Sequence, residues 1–274
     1  MMLTQVTAQN VRGDLLLLPL ADSSGGYIVR NIDGLDPVKA VLASSSIAQV
    51  DGADFQHARR DIRNITMKIG IQPDWSVTDV GDLRKSLYAF FMPKSPVTMS
   101  FYLDDALFAT TDVIVESCEN SMFSADPEVD ISLICYDPDF YDTALTTVSG
   151  STVTDMTEQV ITYAGSSDTG VVFKMTLPRN ISDLMLYNTR PDGIINIFYA
   201  QGTFLSGDII KIGSIEKDKY FRIVRAGLEY SVLYWMNRTS SWISLQEGDN
   251  RFRAVTSGTA ISFTLEYTNK YGAL

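Results

Sequence analysis

From Ile65 to Ile71 every second residue is apolar: Ile65, Met67, Ile69 and Ile71 alternate with Thr66, Lys68 and Gly70. A period of two puts all four side chains on one face of an extended chain, which predicts a half-buried strand rather than a helix. Just upstream the chain bends sharply. In the stretch Asn31 to Pro37, NIDGLDP, Asp33-Gly34 supplies a residue at ease with positive φ and Asp36-Pro37 one whose φ is fixed, so two turns fall close together. Val38 to Val41 then reads as a short strand, and Asp51-Gly52 as the next turn.

The same period recurs along the chain. Val97, Met99, Phe101 and Leu103 alternate with polar residues up to Asp104-Asp105, which predicts a β-hairpin returning to about Glu116. Val129, Ile131 and Leu133 alternate before the Asp137-Pro138 corner. One stretch breaks the pattern. Between Trp75 and Met92, Leu83, Leu87, Phe90 and Phe91 form an apolar stripe with Arg84 and Lys85 off it, Asp79 or Asp82 can cap the start, and Pro93 ends it. A single helix among strands is expected to cover an open sheet face.

Residues 21–26, ADSSGG, read as a flexible link. Residues 141–158, rich in Thr and Ser, read as a linker into a second β domain. Beyond them short strands are expected from Val171 to Leu177, Leu184 to Asn188, Ile194 to Tyr199, Asp208 to Ile212, Tyr220 to Val224, Leu233 to Met236, Trp242 to Leu245 and Ile261 to Tyr267, with no further helix. That spacing predicts a sandwich or jelly roll. The expected division is 1–140 and 141–274, in a mainly-β protein whose first domain is sandwich- or barrel-like with one helix and whose second is a jelly-roll sandwich.

Charge and composition narrow the function. The 274 residues hold 33 acidic and 22 basic side chains, net −11. Residues 1–140 carry 20 acidic and 10 basic, net −10, leaving 13 and 12, net −1, for 141–274. Such a chain is repelled by DNA and is poorly suited to gripping phosphate backbones. The run Leu15 to Leu18 with Pro19 and Leu20 is far short of the roughly 18–20 apolar residues of a membrane span and does not fit a signal peptide. It reads as a strand buried on both faces, or as an arm docked on a neighbouring subunit. Cys118 and Cys135 lack metal-ligand spacing and read as free buried thiols of a reducing compartment.

No catalytic constellation emerges. His57 is the only histidine and has no partner to complete a zinc set or a triad. Asp104 and Asp105 are adjacent at a hairpin tip, where neighbouring side chains diverge and stay solvated, so turn chemistry explains them better than acid–base work. Arg59, Arg60 and Arg63 concentrate positive charge in an acidic half. They read either as a solvated strand edge or as a face for an acidic partner. No catalytic, cofactor-binding or metal site is expected.

The order NIDGLDPVKA, DGADF, an alternating strand, DLRKSLYAFF, SFYLDDALF and VESCENSMFSADPEVDISLICYDPDF resembles the N-terminal domain of the siphophage distal tail protein family across most of residues 27–140. SGDIIKIGS at 206–214, the Ser240-Ser241-Trp242 turn, LQEGDN at 245–250 and the closing YTNKYGAL resemble the galectin-like jelly-roll domain that many distal tail proteins carry. The resemblance implies a non-enzymatic component of the virion tail tip, made in the host cytoplasm. It implies a homo-hexameric ring between the tail tube protein and the tail hub or tail-associated lysin, with receptor-binding or side-fibre proteins as further partners. DNA would be met only in passage through the lumen, and no membrane insertion is implied.

Fold alone does not carry function. Trp235, Asn237, Arg238 and Trp242 are the expected contacts if the second domain binds glycans, which keeps a carbohydrate-binding module as the alternative; Trp242, between a turn and an apolar strand, reads better as a plug of the sandwich core. A β-sandwich hydrolase lacks a nucleophile elbow and a convincing acid pair.

Overall fold

The computed structural model describes residues 2–20, 25–46, 51–74, 76, 78–121 and 126–274. The chain divides into two compact units: Met1–Thr143 with Gly272–Leu274, and Ala144–Tyr271. Among the described residues the protein is mainly β with a single α-helix, as the alternating pattern predicts.

In the first unit β1 (Leu3–Asn10), β2 (Leu15–Pro19), β3 (Tyr27–Asp33), β4 (Ala40–Ser45), β5 (Asp54–Arg60) and β6 (Arg63–Ile71) precede the helix α1 (Val80–Phe91). After it come β7 (Pro96–Leu103), β8 (Ala106–Asn120), β9 (Glu128–Cys135) and the start of β10 (Phe140–Ser151). Seven of these form one antiparallel ladder in the order β2-β1-β7-β8-β9-β6-β3. The ladder ends at β2 and β3 without closing into a barrel.

The Ile65–Ile71 alternation sets its register. Ile65, Met67 and Ile69 stand opposite Leu133, Ile131 and Val129, and all six are buried. α1 closes over this core with Leu83, Leu87, Phe90 and Phe91, the stripe that its spacing predicts. Asp79 caps it by accepting from the Asp82 backbone N–H at 2.8 Å, and the Tyr27 hydroxyl donates to the Leu83 carbonyl. The helix begins at Val80, directly after Asp79, one of the two expected caps; Trp75, the upstream bound of the stretch read as holding it, lies outside the described residues, as do 21–24 of the ADSSGG link.

The corner at NIDGLDP depends on Gly34. Its φ is +87°, and a Cβ there would stand 2.0 Å from the Asn64 carbonyl oxygen. Conformation and space both exclude a side chain. At the β7–β8 hairpin Asp104 and Asp105 have φ of 48° and 66°, the paired positive values of a type I′ turn. Asp104 also accepts from the Met2 N–H at 3.0 Å, so these two carboxylates serve the turn.

The second unit packs two antiparallel sheets face to face. One comprises β11 (Gln159–Tyr163), β14 (Ile181–Thr189), β15 (Ile195–Phe204) and β20 (Gly248–Val255), in the order β11-β20-β14-β15; between β11 and β14 lie β12 (Thr169–Gly170) and β13 (Val172–Thr176). The other is built on β13 with β16 (Ile209–Ile215), β17 (Asp218–Arg225), β18 (Leu228–Ser231) and β21 (Ser262–Tyr271), while the two-residue β19 (Ser244–Leu245) pairs with β12. Phenylalanines fill the space between the sheets, as in the edge-to-face contact of Phe198 with Phe221 at 5.3 Å.

Four local expectations are corrected. Residues 140–151 form β10 instead of a linker, because Thr and Val are β-branched and favour extended backbone however polar the stretch looks. Leu233–Trp235 is a 3-10 turn instead of a strand. The strand expected at Val38–Val41 starts later, at Ala40. β2 is not buried on both faces: Leu18 is buried but Leu15 and Leu17 are more than half exposed.

Candidate assembly surfaces

Among the described residues β4 and β5 pair only with each other, and the residues of the two strands are almost all exposed. Leu42 and Phe55 are 67% and 66% exposed. The register sets Ala40 opposite Arg60, Leu42 opposite Ala58 and, past a register shift between Ala43 and Ser44, Ser44 opposite Phe55, so Leu42, Phe55 and Ala58 share one face with Ala40, Ser44 and Arg60. A lone two-stranded hairpin is marginal in water. This one is anchored at its base, where Arg60 clasps both carboxylate oxygens of Asp139. His57 sits on the same hairpin, exposed and opposite Ala43.

The three arginines of this region do not form one surface. Arg63 is 2% exposed, contrary to either expectation of a solvated edge or a partner face. Its Nη1 donates to the carbonyls of Gly34 and Asp36, Nε to Pro138 and Nη2 to Gly272. The guanidinium lies 4.3 Å above the centre of the Phe140 ring. Burial lowers its basicity, an effect opposed by Cys135 and Asp139 nearby. Arginine is the only side chain with a fork of five donors that can meet four carbonyls from one buried point.

The solvent face of β3, β6, β9 and the end of β8 is hollowed and acidic. Asp33, Lys68, Glu119 and Asp130 line the hollow with Thr66 and Ser132. Lys68 reaches Glu128 and Asp130, and Arg30 pairs with Asp126 and Glu128. Arg30 crosses the sheet over Gly70, where a Cβ would come within 2.5 Å of its Nε. None of Arg59, Arg60, Arg63, Arg84 and Lys85 lines this hollow.

In the second unit Trp235 lies across the backbone of Gly202, edge-on to Phe204 at 4.9 Å, and Trp242 leans on Phe198 at 5.8 Å. Both indoles are half-buried against the core. Asn237 and Arg238 are exposed beside them, and the Asn237 carbonyl accepts from Thr239. Tyr234, 78% exposed and stacked edge-on against Trp235, is the more open ring; its place in an apolar tetrapeptide hid that. Ser240 and Ser241 cover the edge of β15, their hydroxyls accepting from the Tyr199 and Ile197 N–H groups.

Cys118 and Cys135 are free, and burial pushes both thiols up to about 11. Among the described residues no group of three or more His, Cys, Asp or Glu side chains is placed to hold a metal. No described helix is long and apolar enough to cross a membrane.

Residues 164–271 match the family model described as siphovirus-type tail component, C-terminal domain. The fold is similar to that of the phage SPP1 Dit (gp 19.1) protein, whose crystal structure is described as a paradigm of the hub adsorption apparatus in phages infecting Gram-positive bacteria. That match has a TM-score of 0.67 at 14% identity and covers 97% of this chain and 98% of that one. The resemblance to the distal tail proteins holds. A chain of the phage P2 baseplate, in its activated conformation with Ca, aligns over all of both chains with a TM-score of 0.46 and 8% identity. No curated protein matches the sequence.

Proposed function

We propose that the chain is a structural component of a phage tail tip, and that copies of it close into a six-membered ring joining the tail tube to the tail hub. The observation that carries this reading is the β4–β5 hairpin. Its exposed apolar side chains, Leu42 and Phe55, are two-thirds open to water, which is unfavourable, and the head-to-tail contacts by which identical chains close a ring bury such side chains against a different surface of the next copy. The half-exposed edge strand β2, with Leu15 and Leu17 outward, adds a second uncovered surface.

In this ring the acidic hollow of β3, β6 and β9 faces the lumen, where Asp33, Glu119 and Asp130 repel a passing polyanion and keep DNA from sticking. The first unit forms the ring, and the second, a two-sheet sandwich read as galectin-like, meets the receptor-binding or side-fibre proteins. The reaction chemistry of an enzyme has no part in it. The match of residues 164–271 to a tail-component family supports this reading.

Light scattering and negative-stain microscopy of the purified chain test it. Six-fold rings are expected; a monomer persisting at high concentration sinks the proposal, and a lumen lined by arginine and lysine sinks the assignment of the acidic face. The second reading, glycan contact by Trp235, Asn237, Arg238 and Trp242, draws on the exposed Asn237 and Arg238 beside two half-buried indoles. Glycan-array binding that vanishes in Trp242→Ala, with the fold intact, is its test.

A further inference from the structure

The outer face of the sheet β11-β20-β14-β15 has the composition of an interface core. Cross-strand register arranges it in rows: Val160 beside Arg251, Thr189 and Ile195, then Arg253 beside Tyr187 and Ile197. Val160 and Ile195 are each 56% exposed and Ile197 39%. Tyrosine and arginine set among aliphatic side chains are the residues enriched where proteins meet, whereas solvated sheet faces carry Lys, Glu and Thr. Because Ser240 and Ser241 already cover the β15 edge, it is the face, not that edge, that remains available.

Two charges decide what fits there. The ion pairs of the second unit use Lys174, Arg190, Lys211, Arg222 and Arg225. Arg251 and Arg253 therefore have no carboxylate partner among the described residues. Arg253 lies flat over the Tyr187 ring at 4.3 Å, touches the Met156 sulfur, and keeps a buried Nε with no acceptor. These two guanidiniums stand among Val160, Ile195 and Ile197, and Asp249, two residues before Arg251 on the same strand, accepts from the Thr162 hydroxyl.

We propose that this face is covered by a carboxylate-bearing surface of a second copy of the chain, in a head-to-tail contact. A two-fold contact of the face with itself would bring two such positively charged faces together, which like-charge repulsion disfavours. A different surface of the same chain satisfies the charge, because acidic residues outnumber basic ones by 11, and a heterologous contact of this kind closes a ring. The inference rests on the ring reading above and adds to it a contact made by the second unit.

The test is the full-length chain carrying Arg251→Glu with Arg253→Glu, compared with wild type and with Leu42→Asp by sedimentation velocity across a salt series. The glutamates are expected to weaken self-association about tenfold or more, and rising salt to weaken wild type in the same direction. Arg251→Lys with Arg253→Lys, which keeps the charge, is expected to retain most of the association. If the glutamate variant assembles like wild type while Leu42→Asp falls apart, the inference is overturned and the ring stands. If wild type never associates, the ring reading itself has failed and this contact fails with it. A thermal melt of each variant identifies a folding defect, and Ile195→Asp, one row away, then repeats the test without touching either arginine.

Discussion

Arg63 and Gly272, 209 positions apart in sequence, are joined by a 2.6 Å hydrogen bond from the arginine Nη2 to the glycine carbonyl. The same guanidinium holds the carbonyls of Gly34, Asp36 and Pro138. One buried side chain thus gathers the NIDGLDP corner, the Asp-Pro corner and the residue after β21.

Replacing Arg63 strands those carbonyls around a side chain that is 2% exposed. Arg63→Ala is expected to cost about 3 kcal/mol or more in urea unfolding, and Arg63→Lys to recover only part, because an ammonium has three donors and no planar fork. A loss under about 1 kcal/mol for Arg63→Ala would show that the bonds are dispensable.

Gly34 and Gly52 both have positive φ, but only Gly34 is crowded: nothing lies within 4 Å of a Cβ at Gly52. Gly52→Ala is expected to cost about 1 kcal/mol, the penalty of the left-handed backbone alone. Gly34→Ala is expected to cost several times that, because the Asn64 carbonyl must also move. Equal costs at the two positions would refute the steric account.

Asp208 is buried and takes a bidentate hydrogen bond from Arg225 together with the Leu205 N–H. Those bonds, the one from Arg225 foremost, hold its carboxyl below the ordinary value despite burial. A carboxyl depressed on folding contributes stability above its unfolded value of about 3.9 and loses it as pH falls through the lower folded value. The stability gap between wild type and Asp208→Asn is therefore expected to be widest near neutral pH and to shrink in acid. A gap independent of pH in thermal melts from neutral to about pH 2 would contradict this.

Thiols pushed up to about 11 are almost wholly protonated at pH 8. Cys118 and Cys135 are expected to resist a thiol-reactive dye in the native protein and to react together on unfolding. Stoichiometric labelling of the folded chain within minutes would contradict it.

Leu42 and Phe55 touch little within their own chain. Leu42→Asp and Phe55→Asp are expected to shift unfolding by no more than about 0.5 kcal/mol while abolishing assembly, since surface substitutions act on stability weakly. If both lower the melting temperature strongly and leave assembly unchanged, the hairpin serves the fold and not the contact.

What the sequence determined by itself was local. The alternation of Ile65, Met67 and Ile69, the Asp79 cap, the Leu83–Phe91 stripe and the Asp104-Asp105 turn depend on neighbours a few residues away, so period and propensity reveal them. The tertiary structure alone decided that Arg63 is buried while Leu42 is not, because its partners come from positions 29, 75 and 209 residues distant. It also decided that β10 is a strand and that Arg251 and Arg253 share a sheet face with Val160, Ile195 and Ile197. Burial depends on what the folded chain brings alongside a residue, and a linear pattern records only the company a residue keeps in sequence.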